Sequence, residues 1–154
     1  MAAEGILIGL GNPIMSDDAI GILVAERLRK YVPDFVMEAS GAGGFDVVDR
    51  ILGYRKAVII DAMVTGEYPP GTAVRLPRRS APRTIRSRRS HGINFCQAID
   101  MAAECGAPVP EEIVIYGIEV EDPYSLGDHV SERILQKLDD IVGYIAKDIV
   151  ALGK

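Results

Sequence analysis

Residues 5–21 admit few folds: they read Gly-Ile-Leu-Ile-Gly-Leu-Gly-Asn-Pro-Ile-Met-Ser-Asp-Asp-Ala-Ile-Gly. Ile6, Leu7 and Ile8 form an apolar run that ends in glycine, the pattern of a parallel strand covered on both faces. Gly9 and Gly11 predict a sharp turn, and Asn12-Pro13 closes it. Ile20, Val24, Leu28 and Tyr31 then recur every three or four residues, as in a helix with one apolar face. Between strand and helix stand two adjacent acids, Asp17 and Asp18. The first turn of a helix favours negative charge, so both are expected to be ionised. Carboxylates at the carboxyl end of a central strand lie where α/β proteins place their sites.

The rest of the chain repeats this alternation. Residues 34–39 read as a second strand, followed by the loop Ser40-Gly41-Ala42-Gly43-Gly44, which can approach a ligand or another backbone closely. Phe45, Val48, Ile51 and Leu52 have helical spacing up to Gly53. Lys-Ala-Val-Ile-Ile-Asp at 56–61 is a buried strand that ends in an acid. After a Pro-Gly turn at 66–71, residues 72–76 form a fourth strand, whose connection is too short for a crossover and predicts an antiparallel partner. A helix follows at 92–104 with Phe95, Ala98, Ile99 and Ala102 on one face, then a fifth strand at 112–119. A last helix at 130–150 carries Ile134, Leu138, Ile141, Ile145 and Ile149. The predicted architecture is α/β: one domain over 1–154, a three-layer α/β/α sandwich around a mostly parallel sheet with one antiparallel strand.

Composition narrows the class. With 48% hydrophobic and 25% charged residues among 154, the chain reads as a soluble globular protein. No apolar run approaches the roughly 20 residues of a membrane span. Met-Ala-Ala-Glu leads straight into the first strand, without a signal peptide. Cys96 and Cys105 sit too far apart along one helix to bond, and neither belongs to a Cys-x-x-Cys pair. These features predict a cytoplasmic protein with reduced thiols. A monomer is expected.

The net charge of −5 is unevenly spread. Arg75, Arg78, Arg79, Arg83, Arg86, Arg88 and Arg89 carry +7 within fifteen residues and leave −12 on the remainder. Pro77, Pro82, Ser80, Thr84, Ser87 and Ser90 mark this segment as a loop. It is read either as a solvated surface loop or as an electrostatic dock for an acidic partner.

Three side chains stand out as chemistry. Asp18 follows strand one, Asp61 ends strand three and His91 opens the helix after the basic segment. Right-handed crossovers bring the carboxyl ends of strands one and three to one edge of the sheet. Two carboxylates and an imidazole with open positions suit a borderline divalent ion. The plainer readings are a helix cap for Asp18, a strand-end acid for Asp61 and a solvated loop residue for His91. His129, just before the last helix, reads as a surface residue.

Gly9-Leu10-Gly11-Asn12-Pro13-Ile14-Met15-Ser16-Asp17-Asp18-Ala19-Ile20-Gly21 resembles the opening motif of the hydrogenase maturation proteases. Gly41-Ala42-Gly43-Gly44 resembles that family's glycine-rich loop, Ile60-Asp61-Ala62 its central acid, Ser90-His91 its histidine, and Gly117-Ile118 the end of its fifth strand. The resemblance implies an endopeptidase that removes the C-terminal extension of a nickel–iron hydrogenase large-subunit precursor after nickel insertion. It implies that Asp18, Asp61 and His91 bind the substrate's nickel, with cadmium or zinc as surrogates, and that Asp17 supports Asp18. Asp18 and Asp61 would be the catalytic acids; either Asp17 or Asp18 could serve as base. The implied partner is the precursor, without nucleic acid or membrane.

Two other classes share parts of the pattern. Gly-Leu-Gly-Asn-Pro also opens the peptidyl-tRNA hydrolases, but those carry an early catalytic histidine and this chain has none before His91. In a dinucleotide-binding module the Gly-x-Gly-x-x-Gly count from Gly9 would put glycine where Ile14 stands.

Overall fold

Strand β1 (Gly5–Leu10) is buried at every residue, as a strand covered on both faces must be. A computed structural model describes residues 4–41, 43–77, 84–85 and 95–152. Around β1 the chain lays down α1 (Ile20–Leu28), β2 (Phe35–Ser40), α2 (Phe45–Ile51), β3 (Lys56–Met63), β4 (Ala73–Leu76), α3 (Phe95–Glu104), β5 (Glu112–Glu119), α4 (Glu132–Leu135) and α5 (Leu138–Leu152). The sheet has five strands in the order β2-β1-β3-β5-β4. β2, β1, β3 and β5 run parallel, while β4 pairs antiparallel with β5. The short link after β3 leaves no room for a crossover, so β4 reverses as its sequence predicts.

Alternation along the strands builds two apolar layers. Leu7, Val58, Ile60, Val114 and Tyr116 face α1, α4 and α5; Ile6, Ile8, Leu10, Ile59 and Ile115 face α2 and α3. Each fully buried aliphatic side chain contributes about 1.5–3 kcal/mol relative to exposure. No helix among the described residues is long and apolar enough to cross a membrane.

Several elements differ from the sequence reading. The last helix is interrupted at Gln136–Lys137, where Lys137 donates back only three residues to Ile134. Its five stripe residues nevertheless all remain buried. Tyr31 is 43% exposed, because α1 ends at Leu28 and a 3₁₀ turn (Arg29–Tyr31) turns it outward. Phe45 is also exposed, and Val47 takes the core position instead.

The basic segment is not wholly a solvated loop. Arg75 belongs to β4 and pairs with Asp148 on α5 at 3.3 Å. Thr84 bridges antiparallel to Met63 at the end of β3, and both Thr84 and Ile85 are buried. Arg78, Arg79, Arg83, Arg86, Arg88 and Arg89 lie outside the described residues, as do His91 and positions 92–94 of the predicted helix.

Candidate functional site

The strand order changes direction between β1 and β3: β2 lies to one side of β1, and the chain then crosses to β3 on the other. In open α/β sheets the ligand crevice lies at such a switch point, here at the carboxyl ends of β1 and β3. Three glycines let the following turn close down on it. A Cβ on Gly11 would lie 2.4 Å from the Asp18 carbonyl oxygen, and one on Gly21 would lie 2.2 Å from Leu10 O and 2.7 Å from Ile60 O. On Gly9 it would meet Gly21 O at 2.6 Å. None of the three has a positive φ, and Gly9 sits inside β1. Their role is close approach of α1 to the sheet, rather than the reversal expected from Gly9 and Gly11.

A 3₁₀ turn (Ser16–Ala19) holds the acid pair ahead of α1. Ser16, at φ 45°, is the only non-glycine residue with positive φ among those described. Such backbone persists only where its surroundings fix it, and here Ser16 N donates to Gly127 O at 3.0 Å. Asp17 and Asp18 are both fully buried but have different work. Asp18 Oδ2 accepts from Asn12 N at 3.0 Å, which folds the loop back over the end of β1. The two oxygens of Asp17 accept from Asp122 N at 3.0 Å and from Ser131 N at 2.7 Å. Asp17 therefore staples the turn to the loop between β5 and α4. Both of its oxygens are engaged by backbone donors.

Asp61, also fully buried, lies near the end of β3 opposite Gly117 of β5. Its Oδ1 accepts from Ala62 N at 2.9 Å. The Asp18 turn packs against β3, and Gly21 rests on the Ile60 carbonyl just before Asp61. The turn that carries Asp18 therefore packs against the strand that carries Asp61. His91 lies outside the described residues, and among those described no three His, Cys, Asp or Glu side chains group as a metal cage. His129 is exposed beside Asp128, as expected of a surface residue.

The glycine-rich loop reaches the same crevice. Gly11 N donates to Ser40 O at 2.9 Å, and a Cβ on Gly41 would lie 3.4 Å from Gly11 O. Ser40 Oγ donates to Asp46 at 2.7 Å, and Arg50 joins Asp46 at 2.8 Å to Glu38 at 3.1 Å. These bonds clamp β2 to α2 on either side of the loop. The Arg50 guanidinium holds the Asp46 carboxyl below its usual 3.8, with the Ser40 hydroxyl adding to this.

The sequence reading passed over Glu119. It closes β5 as Asp61 nears the end of β3, and it is buried. It accepts from Thr65 N at 2.8 Å, Thr65 Oγ1 at 2.5 Å and Gly66 N at 3.2 Å, pinning the chain that leaves β3. Its signal was an acid closing the apolar run at 113–118, the pattern that singled out Asp61.

Chemically, this end of the sheet holds two buried carboxylates, Asp18 and Asp61, each accepting from a backbone N–H. Hard oxygen donors of this kind, joined by an imidazole, suit a borderline divalent ion. Burying such charges is costly unless a cation or donors compensate them.

Comparison with known proteins identifies the fold and the family. The Escherichia coli hydrogenase maturating endopeptidase HybD superposes with a TM-score of 0.77 over 97% of this chain and 94% of its own, at 16% identity, which shows a shared fold. The hydrogenase expression/formation protein HupD of Thiocapsa roseopersicina is 27% identical over 94% of this chain and 68% of its own length. The hydrogenase 2 maturation protease of Escherichia coli K12 is 26% identical over 81% of this chain and 76% of its own. The family model for hydrogenase maturation protease matches residues 22–148, beginning just after Gly21 and spanning Asp61 and the His91 position. With a match over most of its length, in place of either the nucleotide-module or the peptidyl-tRNA hydrolase reading, the chain belongs to the hydrogenase maturation protease family.

Proposed function

We propose that this protein removes the C-terminal extension of a nickel–iron hydrogenase large-subunit precursor, and that Asp18, Asp61 and His91 meet nickel already seated in that precursor. The observation that carries the reading is the pair of fully buried carboxylates, Asp61 near the end of β3 and Asp18 on the 3₁₀ turn that packs against β3. A metal-bearing substrate supplies the positive charge that such a pair favours, and a metal-free one does not. Recognition of the cargo metal therefore follows from the same residues that sit beside the scissile bond. Asp18 and Asp61 then act as the catalytic carboxylates, one orienting a water toward the scissile carbonyl while the other stays with the metal. Asp17 keeps the turn in place through its bonds to Asp122 N and Ser131 N. The free thiols of Cys96 and Cys105 fit a reducing compartment, so the protein is assigned to the cytoplasm.

The test compares nickel-loaded and nickel-free precursor under identical conditions. The wild-type protein is expected to cleave the loaded form and leave the metal-free form intact. Equal cleavage of both would overturn metal recognition by this site.

A further inference from the structure

The loops beside the Asp18 turn expose large apolar side chains that no core requires. Ile14 is 59% exposed, Tyr124 58% and Leu126 79%. The two loops that carry them are held side by side: Gly127 N donates to Ile14 O at 2.9 Å, and Ser16 N donates to Gly127 O at 3.0 Å. Met15 and Gly127 form a parallel bridge between the two loops. Asp122 Oδ1 accepts from Tyr124 N at 3.1 Å and Ser125 N at 3.0 Å, and Asp17 ties both ends of the 122–131 loop to the catalytic turn. Exposed apolar groups on a backbone fixed this firmly form a preorganised contact surface, because little ordering entropy remains to be lost on binding.

Resting on the function proposed above, we infer that Ile14, Tyr124 and Leu126 form an apolar ridge that docks an apolar segment of the precursor next to its scissile bond. Continuity with the cleavage site selects this occupant. Ile14 lies four residues before Asp18 on the same hydrogen-bonded turn, which sets the ridge beside the proposed cleavage site. A chain positioned there sheds water from the ridge as its bond enters the crevice. Asp17 is then a positioning residue, since it holds ridge and crevice in one register. The ridge is uncharged, so its contribution should persist at salt concentrations that screen any attraction by the arginine segment.

Ile14→Ser combined with Leu126→Ser tests this, with Leu126→Ser alone as a second variant and Met101→Ser as a control. Met101 is 45% exposed on α3, toward the end of that helix which leads to the amino end of β5. Processing of nickel-loaded precursor is measured against precursor concentration at low salt and at about 0.5 M salt. The double variant is expected to raise KM about tenfold or more at both salts, the factor expected from losing roughly one buried aliphatic contact. Its kcat should stay within about twofold of wild type, since no group at the reacting atoms has changed. Melting temperatures should match, and Met101→Ser should leave KM unchanged. An unchanged KM in both ridge variants, or an equal rise in Met101→Ser, would overturn the ridge while leaving the protease assignment standing. Failure of the wild-type protein to cleave loaded precursor would instead overturn the assignment, and the ridge with it.

Discussion

Asp17 and Asp18 are adjacent and equally buried, yet only their partners distinguish them. An Asp17→Asn change would present an amide N–H₂ to one of two backbone donors, leaving either Asp122 N or Ser131 N without an acceptor. The expected loss is about 1–3 kcal/mol of unfolding free energy, read by denaturant titration. A variant as stable as wild type would show that the staple is dispensable. Gly21→Ala should be at least as harmful, since its Cβ would lie 2.2 Å from Leu10 O. The seat of α1 on β1 and β3 must shift, at about 1–3 kcal/mol; thermal melting and precursor processing should both fall. At this scale the sequence was legible in part. Asp61 was visible because an acid near the end of a buried strand is unusual, and Asp18 because it follows a glycine turn. The staple role of Asp17 was not visible, because its donors lie 105 and 114 residues along the chain. No local pattern encodes that pairing.

Among the elements, the apolar strands and their parallel order were readable from β-branched runs and glycine punctuation. β5 has the bounds 112–119 expected of it, and the antiparallel course of β4 followed from its short connection. The break between α4 and α5 was not readable. Gln136 and Lys137 are good helix formers, and the apolar stripe runs unbroken across them. The interruption falls where Gly71 packs against the Lys137 side chain, with a hypothetical Cβ 2.6 Å from its Cγ. That is a tertiary contact, invisible to periodicity. The clamp between β2 and α2 has a pH signature. Because Arg50 depresses the Asp46 carboxyl in the folded state, the pair's contribution is complete above the ordinary value of 3.8 and is lost as pH falls through the lowered folded value. Both side chains are about one-third exposed, so solvent screening keeps the contribution below about 1 kcal/mol. Arg50→Met should be less stable than wild type at neutral pH, and the gap should close at the acid end of a pH series of unfolding curves. A gap independent of pH would assign the effect to packing of the arginine stem.

Over the whole molecule, the order β2-β1-β3-β5-β4 puts the topological switch beside Asp18 and Asp61. The glycine-rich loop, the 3₁₀ turn and the 122–131 loop all converge there through backbone hydrogen bonds. The arrangement of these loops is therefore set by the fold. In the function proposed above, the chemistry rests on charge at Asp61, which the shape of the residue alone does not supply. Asp61→Asn retains that shape and the acceptor for Ala62 N while removing the negative charge. Processing of nickel-loaded precursor by this variant is the most direct measurement. The expected result is a protein with a wild-type melting profile that leaves the C-terminal extension in place. Removal of the extension at the wild-type rate by a folded Asp61→Asn protein would contradict the assignment of Asp61 to the metal and to catalysis.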